Sequence, residues 1–357
     1  MPLRLSTSLA VIVCALFGPW FAQYAGTVLL GNAKSPFSAV MGAILVGMVI
    51  GNIWPRLAGD GAVLKSCTVV VLRIGIVLLG LRLSLAAAVG LGFHALPIVL
   101  ICITAALLLV TIASRAMAMS PTLAALIAVG TSICGVTAIV AMAPVIRARE
   151  AEVSYAVGCI ALFGLIAMFV HPMIAHALFA TQPQLAGVFL GTAVHDTSQV
   201  VGAGLMYQDQ YSTAGVLEAA TVTKLVRNLM MAAVIPLVAV LFRGEARHEG
   251  GAAAMHRFPA IPGFVLWFIA MCALRSAIDF YEPALGQMGR DAWNSVVGGA
   301  QRLSELCLTV SMAAVGLQTR IGAFRQIGFR PLLLAMLTAA VVGGVSLLSI
   351  RLLLETA

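Results

Sequence analysis

The chain has 357 residues, of which 61% are apolar and only 10% are Asp, Glu, Lys or Arg, and its mean hydropathy is +1.06. A soluble domain carries about 25% charged residues, and a disordered chain combines low hydrophobicity with high charge, so this composition excludes both classes. The net charge of +8 does not indicate a nucleic-acid partner, because the basic residues lie at the ends of apolar runs, as in membrane proteins. We therefore expect an all-α polytopic membrane protein.

Nine apolar runs are long enough to cross a bilayer, which requires about 20 helical residues. The first run resembles a secretory signal, but it lacks an A-x-A cleavage site and further spans follow it, so we expect a retained first helix. The predicted spans lie near Ser6–Tyr24, Pro36–Trp54, Lys65–Leu81, His94–Ser114, Ala151–Leu178, Ala214–Phe242, Phe258–Ile278, Val296–Leu317 and Pro331–Leu354. We expect one transmembrane domain, residues 1–357, with a polar inner loop at 243–257.

Two further apolar segments, Pro121–Ile146 and Pro183–Met206, contain Gly, Thr and Ser in their middle. The strings GTSICG at 130–135 and GTAVHDTS at 191–198 open alike and predict a helix break in each segment. Irregular backbone at membrane depth is tolerated only where protein or water satisfies its polar groups, and transporters place paired broken helices at such sites. The alternative is close helix packing through small residues; two matching segments favour functional breaks.

The topology of these two segments has two alternatives. If both are re-entrant hairpins the fold has nine spans, and if both cross the membrane it has eleven. With a cytoplasmic N-terminus, the positive-inside rule favours the hairpins, because crossing would move Arg147 and Arg149 outside. The pairs Gly80-Leu81 and Gly316-Leu317, each followed at the same spacing by Gly-Phe, indicate an inverted-repeat secondary-transporter architecture.

The strings GTSICGVTAI, GTAVHDTSQVVGAG and TVTKLVRN, in this order, resemble the YeiH-type family of bacterial inner-membrane proteins, whose label as sulfate exporters is itself a prediction. The similarity runs over nearly the whole chain. The resemblance implies more distant relatives among the cation/proton antiporters and the bile-acid and arsenite transporters, which have inverted repeats, crossed broken helices and a dimerisation domain. It therefore implies an inner-membrane location, broken helices that span, and a homodimer as a candidate assembly.

The two breaks predict a binding site for a small oxyanion. The N-terminus of a half-helix presents unpaired N–H groups and about half a positive charge, and polar side chains add neutral donors. The predicted substrate-binding residues at the breaks are Gly130, Thr131, Ser132, Gly135, Thr137, Gly191, Thr192, Thr197, Ser198 and Gln199. For each hydroxyl, the alternative is a hydrogen bond to the carbonyl of the preceding helical turn.

A doubly charged anion also needs positive charge, and ionisable residues within membranes are costly and usually functional. Lys224 and Arg227, three residues apart on one helix face, are predicted to supply it. The alternative is a salt bridge with Asp196 or Glu218 that only neutralises the core. His195 and Asp196 are predicted to couple proton movement to anion movement, since histidine titrates near neutrality and a carboxylate binds H⁺ or Na⁺; helix packing is the alternative for His195.

The sequence shows no signature of an enzyme or a metal site. None of the seven cysteines forms a C-x-x-C pair, and no H-E-x-x-H, G-x-S-x-G or P-loop motif occurs, so we expect no enzymatic activity, metal or cofactor. The leading interpretation is a secondary transporter that exports sulfate or a sulfonate-like anion, with H⁺ or Na⁺ and the lipid bilayer as further partners. The alternatives are a monovalent cation/proton antiporter that uses Asp196 and a non-transporting membrane receptor.

Overall fold

The computed structural model describes most of the chain. The described residues are 2–29, 38–241, 262–281, 286–324 and 328–354. All regular secondary structure in these ranges is helical, which confirms the predicted all-α class. The predicted polar inner loop, 243–257, lies outside the described residues.

The helices are numbered here in chain order. They are α1 Pro2–Tyr24, α2 Ala39–Ile53, α3 Gly61–Lys65, α4 Leu72–Leu79, α5 Leu85–Ala116, α6 Pro121–Ser132, α7 Val136–Met142, α8 Glu150–Phe179, α9 Pro183–Ala193, α10 Thr197–Tyr211, α11 Val216–Leu229, α12 Met231–Leu241, α13 Gly263–Tyr281, α14 Gly286–Gln318, α15 Ile321–Phe324 and α16 Phe329–Leu353. A π-helical segment joins α3 to α4, so that Gly61–Arg82 is one continuous helical rod.

Six of the described helices are long and apolar enough to cross a membrane. They are Leu3–Tyr24, Gly61–Arg82, Leu85–Ala116, Glu150–Phe179, Gly263–Tyr281 and Phe329–Leu353. The pair α11 and α12, bent by 44°, is a seventh if it is counted as one span. All seven overlap predicted spans, and they support the prediction of a polytopic membrane protein.

The two other predicted spans differ from the observed helices. The helix within Pro36–Trp54 is the 15-residue α2, and Val296–Leu317 is part of the 33-residue α14. The predicted totals of nine or eleven spans and the inverted repeat stay predictions.

The chain forms two compact units, of which the first is packed through glycines. It contains Met1–Gly90, Val201–Glu218 and Gly263–Ile321. A Cβ on Gly42 in α2 would lie 2.1 Å from the carbonyl oxygen of Gly18 in α1, and one on Gly316 in α14 would lie 2.3 Å from that of Ile44. Small residues let membrane helices approach backbone to backbone in this way, so glycine positions fix the packing of α1, α2 and α14.

The second unit contains both predicted breaks. It consists of Leu91–Val200, Ala219–Pro262 and Gly322–Ala357. Its core is built around α6, in which residues 123–129 are all buried among side chains of α5, α8 and α12. A helix that is apolar on every side belongs in the interior, which explains the absence of a polar face in this part of the sequence. The predicted single domain, 1–357, stays a prediction.

Candidate functional site

The first break separates α6 from α7 at Ile133, Cys134 and Gly135. The chain turns at Gly135, whose φ of +68° and ψ of −127° are accessible mainly to glycine. Beyond this residue α7 turns back against α6, because a Cβ on Gly130 would lie 2.9 Å from Cδ1 of Ile139. The first segment is therefore a bent pair of half-helices.

The second break separates α9 from α10 at Val194, His195 and Asp196. Val194 is extended, with φ −89° and ψ 136°. The Asp196 carboxylate then caps α10, since its Oδ1 accepts the backbone N–H of Ser198 at 2.9 Å and the hydroxyl of Ser198 at 2.6 Å. Asp is a preferred residue for this capping position, so the same short segment ends one helix and starts the next.

Each break falls inside its predicted string, 130–135 or 191–198, but does not include the opening glycine. Gly130 and Gly191 lie within α6 and α9, three residues before the irregular backbone. Both are packing positions, and a Cβ on Gly191 would lie 2.6 Å from Cβ of Thr223. The opening glycine of each motif thus allows close helix contact, as the alternative interpretation held, and the break itself follows it.

The two breaks meet at Gly135 and Asp196. A Cβ on Gly135 would lie 2.8 Å from Oδ2 of Asp196 and 3.1 Å from its Cα. A side chain at position 135 would therefore collide with the second break. Segments that are far apart in sequence come together inside the second unit, which is the arrangement expected of paired broken helices.

Lys224 lies on α11 between the two breaks and has no exposed surface. Its ammonium group donates to the carbonyl oxygens of Ile133 at 3.0 Å, Val194 at 3.1 Å and His195. An ammonium has three donors, and here all three serve the backbone of the breaks.

Arg227, one turn further along α11, is also fully buried. Its Nε donates to the carbonyl oxygen of Ser132 at 2.8 Å, and its two terminal nitrogens donate to those of Thr192 and Thr131. The last carbonyls of a helix lack intrahelical partners, and a cation near that end is favourable. Lys224 and Arg227 therefore cap the ends of α6 and α9 together, a role that the sequence analysis did not predict.

The two cations have no carboxylate partner within 4.0 Å in the described part of the chain. Glu218 pairs instead with Arg82, at 2.7 Å. The alternative prediction, a neutralising salt bridge with Asp196 or Glu218, is therefore not observed. Two buried positive charges are held at the breaks by carbonyl dipoles.

Three of the predicted hydroxyl donors are already engaged. Thr131, Ser132 and Thr192 donate to carbonyls of their preceding helical turns at 2.8, 2.5 and 2.8 Å. The Thr192 hydroxyl also lies 2.6 Å from that of Ser346 on α16. This is the alternative that the sequence analysis gave for single hydroxyls, and direct substrate contact by these three residues stays a prediction.

The remaining polar residues of the breaks fall into two groups. Thr137 is exposed, and Thr197 and Ser198 are partly buried at the start of α10. Thr197 accepts a hydrogen bond from the amide of Asn228 at 3.3 Å, which leaves its own hydrogen available for donation. Gln199 points to α8 instead, where its Nε2 donates to the carbonyl oxygen of Ala161 at 3.2 Å, so this residue is not at the meeting point.

The imidazole of His195 is fully buried, and neither ring nitrogen has a hydrogen-bond partner among the described residues. Buried polar atoms nearly always have partners, so the ring retains hydrogen-bonding capacity for a water or a ligand.

Sequence reasoning missed Ser346, because a single serine in an apolar span carries no signal. Asn228 shares the helical stripe of Lys224, and that spacing was the available signal for it.

The chain is similar to a family of bacterial membrane proteins. The family described as conserved hypothetical protein 698 matches residues 8–335. The UPF0324 membrane protein PA5383 of Pseudomonas aeruginosa is 32% identical over 334 residues, covering 89% of this chain and 88% of that protein. The UPF0324 inner membrane protein YeiH of Escherichia coli is 31% identical over 319 residues, covering 87% of this chain and 85% of that protein. No solved structure matches the chain.

Proposed function

Because this chain belongs to the family of conserved hypothetical protein 698, with YeiH-type inner membrane proteins among its relatives, we propose that it is a secondary transporter of a small oxyanion. The substrate is sulfate or a sulfonate-like anion, exported across the bacterial inner membrane and bound where the two helix breaks meet. The N-terminus of the chain lies on the cytoplasmic side.

The observation that carries this proposal is the pair of buried cations at the breaks. Lys224 and Arg227 have no exposed surface and no carboxylate partner within 4.0 Å in the described ranges. Burying an ion without a counter-charge costs several kcal/mol, and ionisable groups kept inside membranes usually serve function. An anion that binds beside them recovers part of that cost.

The cations act on the anion through their field, because most of their N–H donors bind carbonyls. Direct donors come from the start of α10, where the first N–H groups of a helix lack intrahelical partners. Ser198 carries a backbone N–H and a hydroxyl, both of which donate to Asp196 in this structure, and Thr197 carries a second hydroxyl. Thr137, exposed beside the first break, adds a third.

Purified protein in liposomes tests the proposal through uptake of radiolabelled sulfate. We expect saturable uptake that unlabelled sulfate or methanesulfonate competes away and that equal ionic strength of chloride does not. A pH-sensitive dye inside the same liposomes should show no proton release after a Na⁺ pulse without sulfate. Absence of sulfate uptake, together with Na⁺-driven proton release, would contradict anion transport.

Two arginine variants distinguish the loss of a cation at the breaks from the loss of positive charge elsewhere in the protein. Arg227→Gln removes a cation at the breaks, and we expect sulfate uptake to fall at least about tenfold, since unit charges about 8 Å apart interact by about 2 kcal/mol at an effective dielectric constant of about 20. Arg302→Gln removes an exposed arginine of α14 and should change uptake by less than about twofold. Both variants are first compared with the wild type by size-exclusion chromatography, and equal losses in folded proteins would contradict the assigned site.

A monovalent cation/proton antiporter is the second candidate function. Asp196 lies at the meeting point of the breaks and is partly exposed, and a carboxylate in that setting binds Na⁺ or H⁺ in competition. The Na⁺ pulse described above distinguishes the two functions. The nearby Lys224 and Arg227 oppose a second cation, and this favours the anion.

A further inference from the structure

The Asp196 carboxylate lies where the proposed substrate needs to bind. Its Oδ1 takes both hydrogen bonds that Ser198 offers, one from the backbone N–H and one from the hydroxyl. Its Oδ2 is directed at Gly135, 2.8 Å from the position of a Cβ there. The carboxylate therefore lies at the meeting point of the two breaks and uses the donors at the start of α10, a position that favours negative charge.

A bound oxyanion needs these same donors. The N–H and hydroxyl of Ser198 cannot serve Asp196 Oδ1 and a substrate oxygen together, because each hydrogen makes one strong bond. We propose, on the basis of the anion-transport function above, that Asp196 is a built-in competing anion. In the absence of substrate its carboxylate accepts the hydrogen bonds of Ser198. The substrate binds when Asp196 is protonated and releases Ser198.

The charges around Asp196 favour this exchange. The groups in electrostatic range are Lys224 on α11 and the Cys134 thiol in the first break, with Arg227 beside Lys224 and His195 adjacent in the chain. The partial negative charges at the C-terminal ends of α6 and α9 are offset by the partial positive charges at the N-terminal ends of α7 and α10. The net charge of the site is therefore set by the side chains. Two cations and one carboxylate leave one positive charge, whereas protonation of Asp196 leaves two, which match a sulfate dianion.

Proton binding and sulfate binding are then coupled with a fixed stoichiometry. Each sulfate that binds requires one proton on Asp196, so one proton accompanies each dianion through the site. Because the unprotonated carboxylate competes with sulfate, the apparent Kd for sulfate rises as the proton concentration falls.

Equilibrium binding of potassium sulfate to the purified full-length protein tests the proposal without transport. For the wild type we expect the apparent Kd to rise about tenfold per pH unit across the alkaline part of the range. Asp196→Asn removes the competing charge and keeps the shape, so it should bind sulfate at least tenfold more tightly than the wild type at pH 8, with no pH dependence. In weakly buffered solution, sulfate should draw one proton per binding site from a pH dye with the wild type and none with Asp196→Asn.

Asp60→Asn is the matched control. Asp60 caps α3 by accepting the N–H groups of Ala62 and Val63, so this variant alters the same kind of cap in the first unit. It should keep the wild-type Kd and pH slope. The proposal is overturned if folded Asp196→Asn loses sulfate binding, or if it retains the wild-type pH slope. Wild-type protein that neither binds nor transports sulfate refutes the proposed function itself, a separate result.

Discussion

At the scale of single residues, Gly135 is the most restricted position of the breaks. Its φ of +68° is unfavourable for a residue with a Cβ, and a Cβ there would lie 2.8 Å from Oδ2 of Asp196. We expect Gly135→Ala to lower the free energy of unfolding by roughly 2–4 kcal/mol, through backbone strain and overpacking together. Thermal unfolding of the detergent-solubilised protein measures the effect as a drop of several degrees in Tm.

A glycine in open surroundings provides the comparison. Gly344 lies within α16, and a Cβ there would meet no atom within 4 Å. Because alanine favours a helix by about 1 kcal/mol over glycine, Gly344→Ala should leave Tm unchanged or raise it. If Gly135→Ala unfolds at the wild-type temperature, the backbone turn at the first break is not as described.

At the scale of elements, α6 and α9 depend on α11 for their C-terminal hydrogen bonds. The guanidinium of Arg227 contacts both helix ends, with Ser132 at 2.8 Å and Thr192 at 2.6 Å, and a lysine at this position has fewer donors and no planar fork. We expect Arg227→Lys to speed amide hydrogen exchange at 131–135 and 192–196 by roughly 10- to 100-fold, the effect of losing about 1.5–3 kcal/mol of charge-assisted bonding. Mass spectrometry of peptides covering both breaks measures this change.

An exposed arginine at another helix end is the control. Arg149 lies at the start of α8, where its 78% exposed side chain contacts Glu152 at 3.2 Å. Exposed pairs contribute about 0–1 kcal/mol, so Arg149→Lys should leave exchange at the breaks unchanged. Acceleration at only one break in Arg227→Lys would show that the other helix end is held by Lys224 alone.

The sequence predicts the two broken helices better than it predicts the hydrogen bonds that stabilise their ends. Paired Gly-Thr strings indicated two broken helices correctly, because small and polar residues interrupt otherwise apolar segments. Each break falls inside its predicted string, but the opening glycines Gly130 and Gly191 mark helix contacts that leave the helical backbone intact. The contacts of Lys224 were also missed, since its partners are backbone carbonyls and every residue carries one.

At the scale of the whole molecule, the first broken segment determines which side of the membrane the following helices reach. The contact between Gly130 and Ile139 brings α7 back against α6, and α6 and α7 contain 12 and 7 residues. At 1.5 Å per residue, neither half-helix crosses a hydrocarbon core of about 30 Å. We therefore predict that α6 and α7 form a re-entrant pair, which would keep Arg147 and Arg149 on the side of Arg115, as the positive-inside rule favours.

Single cysteines on both sides of the segment test this topology. Ala116 ends α5 and Glu150 begins α8, and both are exposed; six of the seven native cysteines are buried, so the wild type gives the background. We expect Ala116→Cys and Glu150→Cys to react with a membrane-impermeant maleimide in inverted vesicles and not in intact spheroplasts. Leu3→Cys, 55% exposed near the N-terminus, should behave in the same way if the N-terminus is cytoplasmic. Reaction of Glu150→Cys from the outside, with Ala116→Cys reactive only from the inside, would mean that α6 and α7 together cross the membrane and that every later helix is inverted.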